Sequence, residues 1–239
     1  MSKCVHWIFG RGSSIGCNLK WGVPTAWDAF ARDEKIEMIK KSILFEMEND
    51  KIDTSSFRLF LKNLEERTAD GWRHRFTTTN WDFLLEKEIE ALKLKVLPPW
   101  MASNNVYHLN GTAEEHMNPK YLSPFLLEED KYSQRDPSPE ANDVFNFMLW
   151  DTLFVVVGMS FECESDRFLL SSLNRVQDEV PIGKSWWLVL NPSKIALEAS
   201  SSRIATALPR SRVRTKDISF EGWIKEGMGA MVELGVFAF

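Results

Sequence analysis

The chain has 239 residues, the length of one large α/β domain, and its 44% hydrophobic and 26% charged residues are typical of a soluble globule. A net charge of −5 excludes a general attraction to nucleic acid. The sequence contains no apolar run long enough for a membrane-spanning helix, so we expect no membrane span. Three separated cysteines, Cys4, Cys17 and Cys163, form no CxxC pair, which argues against a structural zinc site and favours a reducing, cytoplasmic setting.

The first half of the chain alternates short apolar or β-branched runs with longer stretches whose apolar residues recur at helical spacing. These patterns predict strands over 5–9, 76–80 and 106–109, helices over 27–47, 55–67 and 81–94, and an irregular segment over 15–27.

The second half repeats the alternation after a proline-rich surface excursion over 113–139. Its patterns predict strands over 152–157, 186–190 and from 213, and helices over 143–151, 164–176, 195–208 and 220–234. We therefore expect a single α/β domain over 1–239, with a Rossmann-like parallel sheet covered by helices on both faces and a small helical insertion near 28–70.

Five of the predicted strands end in polar or glycine-bearing turns. In an open parallel α/β sheet, ligands bind outside the carboxyl ends of the strands, so these five turns are expected to line one crevice. This joint placement is a stronger indication of a ligand site than any single turn.

The first turn is Gly10-Arg11-Gly12-Ser13-Ser14. Two glycines allow the backbone to approach a phosphate closely, and free N–H groups with the side chains of Arg11, Ser13 and Ser14 are suited to hold it. The pattern is neither GxGxxG nor a Walker loop. A tight turn without a ligand explains the same residues equally well.

The second and third turns carry candidates for chemistry at a sugar. In Thr78-Thr79-Asn80-Trp81-Asp82, the Asn80 amide can hold a ribose hydroxyl or a water, although helix capping also explains Asp82. In the third turn, His108 and Asn110 are two residues apart, so a continuing strand would present both on one face. A lone histidine in an apolar strand is more often a buried structural residue.

The fourth and fifth turns are Gly158-Met159-Ser160 and Asn191-Pro192-Ser193. Small polar residues end strands in many proteins, so each turn is a weak signal alone. Ten tryptophans are many for this length, and we expect one or two of them at a ligand or partner surface.

Taken in order, these residues resemble the sirtuin-like family over roughly residues 5–193. A GAGxS-type loop followed by a Gly-Ile-Pro element is similar to Gly10–Ser14 followed by Gly22-Val23-Pro24. The remaining family elements are Thr-x-Asn-x-Asp, His-Gly, Gly-x-Ser and a strand-end asparagine, and they are matched at 78–82, Asn110-Gly111, 158–160 and Asn191.

The resemblance implies a Rossmann-like fold that binds NAD, with nicotinamide as the leaving group. The deacylase members carry a four-cysteine zinc module that this sequence lacks, so the resemblance is closer to bacterial sirtuin-like domains of anti-phage defence, which hydrolyse NAD to ADP-ribose and nicotinamide. It implies NAD-binding positions at Gly10, Arg11, Gly12, Ser13, Ser14, Pro24, Thr79, Gly111, Gly158, Ser160 and Asn191, and catalytic candidates at Asn80, Asp82, His108 and Asn110.

The sequence departs from the family at Asn110, where the family places a histidine that acts as a base toward the ribose hydroxyls. An amide cannot act as a general base near neutral pH. Two functions therefore stay open: hydrolysis that is slow or uses His108 as a substitute base, and binding of NAD or ADP-ribose without turnover, as a sensor or assembly subunit. Arg11, in place of a small residue, either favours an extra phosphate or obstructs the pyrophosphate.

From the length of the chain, we expect no separate sensing domain. A defence role therefore predicts activation through a homo-oligomer or a partner defence protein, without a membrane or direct nucleic-acid contact. A third hypothesis, an α/β domain whose ligand is not a dinucleotide, also stays open.

Overall fold

The computed structural model describes residues 3–21, 27–48, 51–93, 106–113, 125–127, 130, 148, 153–174 and 185–238. Six parallel strands form one sheet in the order β3-β2-β1-β4-β5-β6. They are β1 Lys3–Phe9, β2 Trp72–Thr78, β3 Val106–His108, β4 Leu153–Val157, β5 Trp186–Leu190 and β6 Arg212–Lys216. This order is that of the doubly wound, Rossmann-like α/β fold, which confirms the predicted fold class.

Eight α-helices accompany the strands within the described residues. They are α1 Arg11–Gly16, α2 Arg32–Met47, α3 Ser55–Arg67, α4 Leu84–Leu92, α5 Glu164–Asn174, α6 Lys194–Ala207, α7 Phe220–Lys225 and α8 Gly229–Glu233. Helices α2 and α3 lie between α1 and β2 along the chain, where the helical insertion near 28–70 was predicted. None of the described helices is long and apolar enough to cross a membrane.

Alternate residues of the central strands face opposite sides of the sheet, and each side has its own core. Trp7 and Phe9 of β1 pack with residues of α2, α3, α4, α7 and α8, whereas Ile8 packs with residues of α5 and α6. Strands buried on both faces need continuous apolar runs, which explains the sequence of β1 and of β4. The sheet is therefore covered on both faces, as predicted.

Several predicted boundaries are wrong. The strand predicted over 76–80 spans Trp72–Thr78, and the helix predicted over 27–47 begins at Arg32. The segment predicted as irregular from residue 15 overlaps α1, a six-residue helix of sequence Arg-Gly-Ser-Ser-Ile-Gly that has no apolar periodicity to reveal it. The helix predicted from Trp81 begins at Leu84. The helix predicted over 220–234 is divided into α7 and α8, because Gly227 and Met228 adopt positive φ angles of 80° and 53°.

Two predicted segments lie almost wholly outside the described residues. They are the surface excursion over 113–139 and the helix over 143–151.

A buried hydrogen-bond chain joins β1, β2 and the end of α3 through His74. Trp7 Nε1 donates to His74 Nδ1 at 3.0 Å, and because an indole only donates, that ring nitrogen carries no proton. The other nitrogen, Nε2, lies 2.7 Å from Thr68 Oγ1, which itself donates to the Leu64 carbonyl. These hydrogen bonds require a neutral His74 imidazole, and burial lowers the pKa of His74 to about 3.

His74 is expected to make folding stability depend on pH. Its pKa is about 3 in the folded protein and near 6.5 when unfolded, so between these values only the unfolded chain binds this proton. The contribution of His74 to the free energy of unfolding is complete above pH 6.5. It decreases as the pH is lowered toward 3, by at most about 1.4 kcal/mol per pH unit. Urea unfolding across this range is expected to give a flatter profile for His74→Gln than for wild type. Parallel profiles would contradict the assignment, because all other groups titrate in both proteins.

Candidate functional site

The turn after β1 packs against the end of β4 with backbone touching backbone. Gly10 N donates to the Val157 carbonyl at 2.8 Å, and Gly12 N donates to the Gly158 carbonyl at 2.9 Å. A Cβ on Gly12 would lie 2.8 Å from Gly158 Cα, and Gly158 itself has a φ of +63°. These glycines are therefore required by the close approach of two chain segments.

The same contact changes the expected role of the first turn. The N–H groups of Gly10 and Gly12 bond to β4 and its turn, and Ser13 N donates to the Gly10 carbonyl at 3.0 Å. The expectation that the turn offers free N–H groups to a phosphate is wrong for these three positions.

The side chains of the turn hold the loop after β2. Ser14 Oγ donates to Asp82 Oδ2 at 2.6 Å. Asn80 Nδ2 lies 2.8 Å from Ser14 Oγ, 3.2 Å from Ser13 Oγ and 3.1 Å from the Gly10 carbonyl, so its donors are directed toward α1. The first two predicted turns thus form one hydrogen-bonded unit.

Two amide oxygens in this region are buried without a hydrogen-bond donor among the described residues. They are Asn80 Oδ1 and Asn110 Oδ1. Asn110 is anchored through its other amide atom, because Nδ2 donates to the Thr79 carbonyl at 3.2 Å. A buried acceptor without a donor costs about 1–3 kcal/mol, so each such oxygen calls for an explanation.

These residues line a pocket of about 400 Å³, part of it open to solvent, which we call the strand-end pocket. Its lining comes from the segments that follow β1, β2, β3 and β4, as expected for a site at the carboxyl ends of parallel strands. The lining residues are Arg11, Trp21, Thr79, Asn80, Trp81, Asp82, Asn110, Cys163 and Asp166.

One wall of the pocket is a column of aromatic rings. The Trp21 and Trp81 ring centroids are 4.9 Å apart, and Phe125 stacks on Trp81 at 5.0 Å with an interplanar angle of 20°. Arg11 Cζ lies 4.5 Å from the centroid of Trp21, in cation–π geometry. The count of tryptophans was the only sequence signal for this wall, and it did not single out Trp21 or Trp81.

The carboxyl group of Asp82 is buried at the base of the pocket. Burial raises the pKa of Asp82, and the hydrogen bonds from Ser14 and from Leu84 N act in the opposite direction. Asp166, which sequence reasoning missed, adds a second carboxyl group to the lining.

His108 lies outside the pocket lining, beneath the loop after β2. Its Nδ1 donates to the Asn80 carbonyl at 2.9 Å, and its Nε2 pairs with Glu86 of α4. Burial opposes protonation of this ring, but the adjacent Glu86 carboxylate outweighs it and raises the pKa of His108. The expectation that His108 and Asn110 share one face is wrong, because β3 ends at His108 and the alternation does not continue into the turn.

The other predicted positions have different surroundings. Asn191 Oδ1 accepts from Ser193 N, and the Ser160 carbonyl accepts from Arg203. Neither residue is in the lining of the strand-end pocket. Gly111 has a φ of +75° in the turn after β3. Pro24 lies outside the described residues.

No cluster of three or more histidine, cysteine or acidic side chains that could hold a metal ion occurs in the described part of the chain. Comparison of the sequence with models of protein families and with curated protein sequences gives no match. The chemistry of the strand-end pocket is therefore the basis for assigning a function.

Proposed function

We propose that the strand-end pocket binds the nicotinamide–ribose end of NAD and hydrolyses its N-glycosidic bond, releasing nicotinamide and ADP-ribose. The observation that carries the proposal is the pair of donorless amide oxygens, Asn80 Oδ1 and Asn110 Oδ1, beside one pocket. The ordered resemblance to sirtuin-like domains directs the choice of ligand.

The pocket offers what this end of a dinucleotide needs. Ribose hydroxyls and a water are hydrogen-bond donors, and either would satisfy the two amide oxygens. Trp21 and Trp81 present aromatic surface on which a planar ring can stack.

The reaction demands little covalent chemistry from the protein. Nicotinamide is a neutral leaving group once the bond to the ribose breaks, and the transition state resembles an oxocarbenium ion. The site has to orient the ribose, exclude bulk water and place one water, which then supplies the hydroxyl group and releases its proton to solvent. Asn80 is the residue we assign to the water or the ribose, with its Nδ2 anchored on α1.

Asp82 stabilises the Asn80 side chain indirectly, through Ser14. Its Oδ2 accepts from the same Ser14 hydroxyl that accepts from Asn80, so the carboxyl group fixes the direction of that hydroxyl. The carboxyl group of Asp166 also gives the pocket a polarity that suits developing positive charge on the ribose.

A second candidate function is binding of NAD or ADP-ribose without turnover, in a sensor or in an assembly subunit that joins a homo-oligomer or a partner defence protein. The observation that favours it is the chemistry of the third turn. Asn110 lines the pocket, and no imidazole does so among the described residues. His108 already uses both ring nitrogens, toward Asn80 and Glu86.

Replacing Asn80 with alanine is expected to lower the rate of nicotinamide release from NAD by about a hundredfold, since the reacting water or ribose loses its anchor. Release is followed by chromatography of the products. The matched control is Asn63→Ala on α3, outside the pocket lining, which is expected to keep the wild-type rate. An Asn80→Ala protein as active as wild type would remove Asn80 from the reaction.

Replacing Asn110 with histidine is expected to increase nicotinamide release by about a hundredfold, because it supplies a general base at the pocket. Asn110→Gln is the control, since it keeps an amide and adds no base. A gain in both variants would attribute the effect to altered packing and would contradict the role of a missing base.

Calorimetric titration of the wild-type protein with NAD and with ADP-ribose separates the two candidate functions. Hydrolysis predicts nicotinamide release together with binding of ADP-ribose as product, whereas the second candidate predicts saturable binding with intact NAD recovered at the end. Absence of heat with both ligands, at protein concentrations that detect micromolar affinity, would contradict both functions.

A further inference from the structure

Asn80 is held at three points, and only one of them is the side-chain anchor on α1. Its N–H donates to Thr78 Oγ1 at 3.0 Å, and its carbonyl accepts from His108 Nδ1 at 2.9 Å. The carbonyl bond comes from β3, on the opposite side of the loop from α1. Asn80 is therefore fixed between two elements of the fold.

His108 is itself held by Glu86, whose side chain forms no other hydrogen bond among the described residues. Its Nε2 pairs with Glu86 on α4, and both side chains are buried. Because a carbonyl only accepts, Nδ1 carries a proton, and Nε2 forms the hydrogen bond with the Glu86 carboxyl group. A neutral ring with its proton on Nε2 would leave the Asn80 carbonyl without a donor.

We propose that His108, held by Glu86, is a positioning residue that fixes the Asn80 carbonyl and thereby holds the Asn80 side chain in the lining of the strand-end pocket. His108 then acts through Asn80 and does not serve as a substitute base. This inference rests on the proposed function for its effect on ligand binding, but its structural content is independent of which ligand binds.

Two charged groups act on His108 in the described structure, Glu86 from α4 and Asp82 from the loop after β2. Thr78 of β2 is its neighbour in the sheet. Loss of the Glu86 charge therefore lowers the pKa of His108, whereas loss of the ring removes the donor to Asn80.

The sequence allows this bond to be observed directly. Asn80-Trp81 is the only Asn-Trp pair in the chain, so protein labelled with carbonyl-¹³C asparagine and ¹⁵N tryptophan gives a single cross-peak from that peptide group. In wild type, the cross-peak is expected to move with pH at a midpoint above that of an ordinary imidazole. In His108→Gln it is expected at a different position, without that midpoint.

His74→Gln is the matched control, because His74 is an equally buried histidine on the neighbouring strand with no contact to Asn80. It is expected to lower the thermal unfolding temperature and to leave the cross-peak in place. A cross-peak that is the same in His108→Gln and wild type, or that moves equally in His74→Gln, would overturn the proposal.

Glu86→Gln tests the same pair if the His108 variant fails to fold. Glutamine retains a polar partner for His108 Nε2 and removes the charge. The pH midpoint of the cross-peak shift is therefore expected to fall, while the hydrogen bond from His108 to the Asn80 carbonyl persists. An unchanged midpoint would overturn the role of Glu86.

Ligand titration completes the test. NAD or ADP-ribose is expected to bind about tenfold to a hundredfold more weakly to His108→Gln than to His74→Gln, because the Asn80 carbonyl is left unsatisfied. Equal affinity in the two variants would overturn the proposal. If wild type binds neither ligand, the proposed function fails, while the cross-peak still decides whether His108 positions Asn80.

Discussion

The strand-end pocket depends on the contact between the first turn and Gly158. Two hydrogen bonds bring Gly10 and Gly12 against the end of β4 at a distance that leaves no room for a Cβ. This contact sets the position of α1, and α1 carries the serines that hold Asn80 and Asp82. The glycine pattern, which looks like a phosphate-binding motif in the sequence, therefore positions the catalytic candidates by packing rather than by offering donors to a ligand.

Two hydrogen-bond acceptors of the pocket-lining residues have no donor among the described residues. Asn80 and Asn110 both direct their NH₂ groups to protein oxygens, which orients each Oδ1 without assigning it a partner. A folded protein seldom leaves buried acceptors unsatisfied. Their occurrence on two residues that line one pocket is the physical reason to expect a hydroxyl-bearing ligand or an ordered water, and it is more specific than the shape of the pocket.

Much of the fold could be predicted because local signals and tertiary structure agree. Helix α3 and strand β5 begin and end where their periodicity and flanking turns indicate. The sequence also predicted the part of the pocket that lies at the strand ends. Asn80, Asp82 and Asn110 come after predicted parallel strands, and the carboxyl ends of such strands meet at one edge of the sheet. The aromatic wall and the pairing of His108 with Glu86 join residues from distant segments, and no local pattern encodes such contacts.

The bond between Ser14 and Asp82 joins residues 68 positions apart, and the Asn80 anchor spans 66. Such a pocket exists only after β1 has paired with β2 and β4, so a ligand has no comparable site in the unfolded chain. Any molecule that occupies the pocket therefore adds its binding free energy to that of folding, in proportion to the logarithm of its concentration. Cellular ligand levels would then set the lifetime of the folded protein against proteolysis, which links the abundance of the protein to the supply of its own ligand.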